Sequence, residues 1–396
     1  MRLCPAYNRR RISLLRDRQI RYGLIGRTGY RMVNLEASLE FDDDKLDLAR
    51  VVLENHVALK TMPGAVGLVV CREGVVARWA VGRHTYAGNA RSVLADDLFD
   101  LASVTKAVVT TTLCALFVEN EKLNLDAPIR EYVPAFGGGG KDSVTARHVL
   151  AHCSGLPAHV HLYKQHAGRE DILQAVCGLE LAYAPGSETA YSDMGFLLLG
   201  MALETIGGAR LDRLAQQFIF DPLGMKDACY CPGEDMRPRI LPTELKTNLR
   251  TGLVWGEVHD ENAAAMGGIA SHAGVFATAN DLANFVRMWL CGGIFDGAVI
   301  LSEEVAMMFT RRAHLVPNST WALGWDTVSP GGSSSGRHFS DRSFGSLGFT
   351  GTSVWVDSER DLGVVLLTNR VHPTRDNLQI KDLRPAFHDA VSQAMV

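Results

Sequence analysis

Between Asp100 and Glu119 the chain carries a single charged side chain, Lys106, within the apolar run Leu101 to Val118. A helix without a polar face has to be buried on nearly all sides, so this segment runs through a core. A lone ammonium in such a place is costly unless something pairs with it. Desolvation favours the neutral amine, which can then serve as a base. Ser103 stands three residues earlier, and positions i and i+3 share a helix face with about 5–6 Å between their Cβ atoms. Lys106 therefore reaches the Ser103 hydroxyl, at a helix start whose positive end favours developing negative charge. An activated serine nucleophile is the expectation.

Both ends of the chain supply strands. Ala65–Cys71 and Val75–Val81 are apolar, β-branched runs joined by Arg72-Glu-Gly74, which predicts a hairpin. Thr350–Asp357 and Leu362–Asn369, joined across Ser358 to Asp361, predict a second. Helices are expected over Asp42–Lys60 and from Ile380 to Val396. Two hairpins with covering helices suit one antiparallel sheet assembled from the two termini, an α+β fold. The stretch between is mostly helical, with helix starts at Asn280 and Ser302 and loops at Gly137–Gly140 and Pro330–Gly336. The expected division is a sheet part over residues 32–100 and 324–396, with a helical subdomain over residues 101–323.

Two further segments carry candidate chemistry. Pro185 to Asp193 is turn-rich and precedes the apolar run Met194 to Ile206, which puts Tyr191 on a short loop and Asp193 at a helix N-cap. The Tyr191 phenol could take the Ser103 proton and pass it to a leaving group. Phe344 to Asp357 has glycines at 345, 348 and 351 ahead of a strand, where backbone can approach a ligand closely. Each segment also has a plain structural reading: a seam tyrosine, a cap, a glycine-kinked edge strand.

In this order, Ser103-Val-Thr-Lys106, Tyr191-Ser-Asp193 and Ser346-Leu-Gly348 resemble the serine β-lactamase and penicillin-binding-protein superfamily, closest to the class C branch with its esterase and peptidase relatives. Phe99 to Lys106, His148 to Leu156, Pro222 to Met225 and Gly363 to Asn369 resemble it too, so the likeness runs from about Leu39 to the C-terminus. The resemblance implies a β-lactamase/transpeptidase-like fold and a cofactor-free acyl-enzyme mechanism, with the oxyanion held between the backbone N–H groups of Ser103 and Phe349. Val258 to Ala263 and Gly267 to Phe276 are similar to a branch containing cell-wall-fragment amidases and esterases, with His259, Asp260 and His272 either lining the pocket or stapling their own loop. Two departures stand out. Asp193 replaces an amide, which should raise the Lys106 pKa, and Ser346 replaces the lysine or histidine that helps hold a substrate carboxylate. The implied substrates are small esters or amides, including cell-wall-derived ones. β-Lactamase or D-Ala carboxypeptidase activity, and a non-catalytic binding relative, are the alternatives.

The remaining features narrow the partners. A net charge of −4 gives no reason to expect nucleic acid, and no apolar run approaches the ~18–20 residues of a membrane span. Eight scattered cysteines do not form a disulfide framework, and His148 and His152, though four apart, fall in a segment that resembles a structural part of a metal-free family; no metal is expected. Residues 1–31 carry nine arginines against one acid, Asp17. That arm resembles a transit segment or precedes a start at Met32, and either way a cytoplasmic or otherwise intracellular protein is expected. Oligomeric state is left open.

Overall fold

The computed structural model describes residues 40–396. The basic arm expected over residues 1–31 lies outside the described residues. Helix α1, Asp43–Ala58, is capped by the Asp42 side chain and buries Leu46, Ala49 and Leu53. The strands are β1 (Gly64–Cys71), β2 (Gly74–Gly82), β3 (Asp326–Thr327), β4 (Ser343–Leu347), β5 (Ser353–Asp357) and β6 (Leu362–Thr368). They form one sheet in the order β2-β1-β6-β5-β4-β3, antiparallel throughout, so the two ends of the chain meet at the β1–β6 pairing with Leu68 opposite Val365. This is the α+β sheet expected from the hairpins.

Every residue of β1 and β6 is buried, because the sheet has a core on each face. Val66, Leu68, Val70, Val365 and Leu367 point into the larger core, shared with the helical part of the chain. Ala65, Val69, Leu362, Val364 and Leu366 point to the other, beneath α1 and the C-terminal helix Ile380–Gln393. Burial on both faces explains apolar runs without alternation. Gly67 lets that helix come close: a Cβ there would stand 2.6 Å from the Phe387 ring.

The middle of the chain is less uniformly helical than expected. Phe99–Asp100, Val275–Ala277 and Cys229–Tyr230 pair into a small antiparallel sheet, with Asp100 opposite Phe276. Strands of two or three residues are too short to show a period, so sequence patterning misses them. Their consequence is local: the segment leading to Ser103 is fixed to the loop that carries His272. Among the helix starts, Ser302 caps Glu303–Thr310 as expected. Thr278, rather than Asn280, caps Ala279–Leu290, through a reciprocal bond with Asp281.

Candidate active site

Ala102, immediately before Ser103, is left-handed at φ 47°, a strained turn for a residue with a side chain. A π-helical stretch, Lys106–Thr111, follows and leads into α2, Thr112–Glu119. All six residues of the π-helical stretch are buried. Lys106 Nζ has three neighbours at bonding distance: Ser103 Oγ at 3.0 Å, the His272 carbonyl oxygen at 3.0 Å and Asp193 Oδ1 at 2.7 Å. The first two are hydrogen bonds and the third is an ion pair. Burial pulls the Lys106 pKa down most strongly of any one cause, but Asp193 and Tyr191 together outweigh it and the net shift is upward. The first expectation, a neutral amine, is therefore corrected by the second: Asp193 holds Lys106 as a cation. Burial resists the charge on Asp193 in turn, yet Lys106 and His159 hold its carboxyl well below the ordinary range.

Tyr191 lies on the loop before α3, Asp193–Gly207. The helix is capped by Ser192, whose Oγ accepts from the Gly195 N–H at 3.1 Å, so the N-cap expected at Asp193 belongs one residue earlier. The shift matters: with Ser192 capping, both Asp193 oxygens are available, one for Lys106 and the other for His159 Nδ1 at 3.0 Å. Tyr191 lies beside Lys106, whose Nζ stands 5.0 Å from its ring centroid, while the residue keeps 38% of its surface exposed. Burial pushes its pKa up, Lys106 pulls it down, and the net direction is up. His152 packs 4.7 Å from the Tyr191 ring and 4.2 Å from that of Trp321, and the three rings form one cluster. Burial and the nearby Lys106 push His152 down to about 3. Its Nδ1 accepts from the Ser192 N–H at 3.0 Å, which fixes the neutral ring. His148 instead bonds to Thr145, so the two histidines diverge despite their spacing.

On the other side of Ser103, strand β4 carries Ser346 opposite Val354, and the turn after it carries Gly348 and Phe349. Among the described residues, neither the Ser103 nor the Phe349 N–H donates to a protein acceptor. Two hydroxyls staple this turn to the segment before Ser103: Thr350 Oγ1 to the Asp100 carbonyl at 2.7 Å, and Thr352 Oγ1 to the Leu101 carbonyl at 2.8 Å. Only glycine fits at 348, since a Cβ would stand 2.0 Å from Thr352 Oγ1 and 2.4 Å from the Leu101 oxygen.

His259 does not line the cleft, a correction to the reading that placed it there. It is buried, its Nε2 3.0 Å from Glu244, and its ring stacks 5.7 Å behind that of Phe349. Arg375 completes that layer, 2.7 Å from both Glu244 and Glu261. Burial pushes Glu244 up, but His259 and Arg375 outweigh it and bring it down to about 2. His272 Nε2 lies 2.9 Å from Asp260, whose other role is to cap Glu261–Ala265. This is the self-stapled loop; its contribution to the site is the His272 carbonyl. Sequence reasoning missed His159, Thr350, Thr352, Arg375 and two arginines behind the turn, Arg370 and Arg384. Arg384 left a signal: at helical spacing it falls among Ile380, Leu383, Phe387 and Val391, on the apolar face.

A serine and lysine in contact at a helix start and a tyrosine on an adjoining loop thus stand opposite two N–H groups that, among the described residues, have no protein acceptor. The chain belongs to the β-lactamase family, which matches residues 51–386. It is 31% identical to an N-acetylmuramyl-L-alanine amidase of Bacillus subtilis (strain 168) over 86% of this chain and 84% of that one. Among solved structures, a family VIII carboxylesterase covers 88% of this chain and 97% of its own at a TM-score of 0.70 and 18% identity. A penicillin-binding protein homolog from Caulobacter crescentus covers 88% and 98% at 0.68 and 20%. At those identities the structural likeness is one of fold. The chain is a serine hydrolase of this family, working through an acyl-enzyme.

Proposed function

We propose that Ser103 is the nucleophile, Lys106 and Tyr191 its proton relay, and the N–H groups of Ser103 and Phe349 the oxyanion donors, acting on small neutral esters or amides. The observation that carries this reading is the 3.0 Å contact between Ser103 Oγ and a buried lysine, opposite two N–H groups without a protein acceptor among the described residues. Lys106 and Tyr191 are both shifted upward and lie side by side, so they titrate as a pair. Loss of one proton from that pair creates the acceptor. Ser103 Oγ then attacks the carbonyl carbon as its proton passes to the pair. The tetrahedral intermediate collapses, and the pair returns the proton to the departing alcohol or amine. Water repeats the sequence on the acyl-enzyme and frees the acid.

Neutral substrates are favoured because the cations near the cleft are already engaged. Lys106 and His159 share Asp193, Arg375 bridges Glu244 and Glu261, and Ser346 contributes no charge. The relation to an amidase makes amides of cell-wall fragments the first natural candidates. A fluorophosphonate probe should label Ser103. A panel of p-nitrophenyl butyrate, N-acetylmuramoyl-L-alanine amide, its free acid and nitrocefin should show turnover of the neutral members first. No label at Ser103, or nitrocefin as the best substrate, sinks the proposal.

A further inference from the structure

Behind the oxyanion turn lie two guanidinium groups without carboxylate partners among the described residues. Arg384, buried on the C-terminal helix, donates through Nη2 to the carbonyl oxygens of Gly348 at 2.7 Å and Thr352 at 2.8 Å. Arg370, also buried, donates through Nε to the Phe349 carbonyl at 2.8 Å and through Nη1 to those of Arg375 and Asn377. An unneutralised buried cation is costly, so both need a reason to persist. Burial, with Arg370 nearby, brings the Arg384 pKa down to about 9, so the pocket strains against its charge. Its Nε is buried without a partner as well.

The Gly348 carbonyl belongs to the same peptide group as the Phe349 N–H. A charged donor on the oxygen of a peptide draws electron density from its nitrogen and makes the N–H a stronger donor. We infer that Arg384 is a positioning residue for catalysis: it polarises and fixes the Gly348–Phe349 peptide so that its N–H meets the oxyanion as negative charge develops. Arg370 holds the next peptide and adds to the same positive field. The guanidinium touches neither substrate nor reacting atoms. Its effect belongs to the transition state and leaves ground-state binding nearly unchanged.

This inference rests on Ser103 as the nucleophile, and the experiment separates the two. Fluorophosphonate labelling rates and p-nitrophenyl butyrate kinetics are measured for the wild type, Arg384→Gln and Arg384→Lys, with circular dichroism as the check on folding. The wild type labels at Ser103; an unlabelled wild type removes the nucleophile assignment and this proposal with it. Arg384→Gln keeps a donor but loses the charge, and should lower kcat and the labelling rate roughly tenfold with KM within about twofold. Loss of a whole donor typically costs ~10²–10³-fold. Arg384→Lys restores the charge and should recover most of the loss. In Arg384→Gln the acyl-enzyme carbonyl stretch, read by difference infrared spectroscopy, should move to higher wavenumber as polarisation weakens. A folded Arg384→Gln that labels at the wild-type rate overturns the proposal, as does an Arg384→Lys no better than Arg384→Gln. Should Arg384→Gln fail to fold, the Lys variant decides: kcat within about threefold of wild type with an unshifted carbonyl stretch supports the proposal, and a loss of tenfold or more overturns it.

Discussion

The two sides of Ser103 handle charge in opposite ways. On the helix side, Lys106 meets Asp193 at 2.7 Å and Asp193 meets His159 at 3.0 Å, so cations and carboxylate are interleaved. On the strand side, Arg384 and Arg370 face backbone carbonyls. The difference fits the work proposed for each side. A proton relay needs groups whose charge can change, and a neighbouring carboxylate sets when it does. An oxyanion site needs a fixed positive field, and the carboxylates behind this turn, Glu244 and Glu261, are held against Arg375.

The largest effect should come from breaking the helix side at its centre. Ser103→Ala should lower p-nitrophenyl butyrate turnover by roughly 10⁴-fold or more with an unchanged circular dichroism spectrum. Lys106→Ala should lose about 10²–10⁴-fold. Either variant retaining near-wild-type kcat, once purified free of contaminating esterase, removes the relay.

Asp193 sharpens the comparison. Asp193→Ala strands the buried ammonium and should cost about 3–5 kcal/mol in urea unfolding, since breaking one partner of a buried pair leaves the other uncompensated. Asp193→Asn should cost less and should move the acid limb of kcat/KM to lower pH, because the charge that raises Lys106 is gone. The wild-type carboxylate is depressed on folding. Its stabilisation is therefore present above its ordinary pKa of about 3.9 and is lost as pH falls through the folded value. Lys106 is raised, so its contribution is present below about pH 10.4 and is lost as pH climbs through its folded value. Stability curves for the wild type and Asp193→Asn should diverge in the neutral range and converge at both extremes. Parallel curves would mean that the pair contributes nothing.

Ser346→Lys tests the strand side by adding a mobile cation to the cleft. It should shift preference towards carboxylate-bearing analogues by roughly ten- to a hundredfold in kcat/KM, measured on one neutral ester and its carboxylate counterpart. No shift would mean that another group already sets carboxylate preference. Smallest is Thr352→Ala, which removes one staple to Leu101 and should cost about 0.5–1.5 kcal/mol. A kcat loss well beyond that equivalent would show that the staple positions the turn as well as stabilising it.

Much of the fold was legible because its signals are local. The hairpins, the helix over Asp43–Ala58 and the central apolar segment appear as runs and periods, and the meeting of both chain ends in one sheet follows from having two hairpins to pair. At the site, the Ser103–Lys106 contact was legible for the same reason: three residues on a helix fix the distance. The three-stranded patch through Phe99–Asp100 was not, because two residues carry no period. His259 was left between two readings because a histidine in a loop looks the same whether it faces a cleft or a buried glutamate 15 residues away.

The sequence by itself determined that a buried lysine lies beside a serine and that an acid at 193 would change its charge. Only the tertiary structure decided which way that charge settled, because burial pushes the Lys106 pKa down while Asp193 at 2.7 Å and the Tyr191 phenol together push it up. It also decided what stands behind the oxyanion turn. Arg384 and Gly348 are 36 residues apart, and no local rule brings them together. Their contact exists because the C-terminal helix packs across the sheet and places a guanidinium against a carbonyl that also accepts from the Gly351 N–H within the turn.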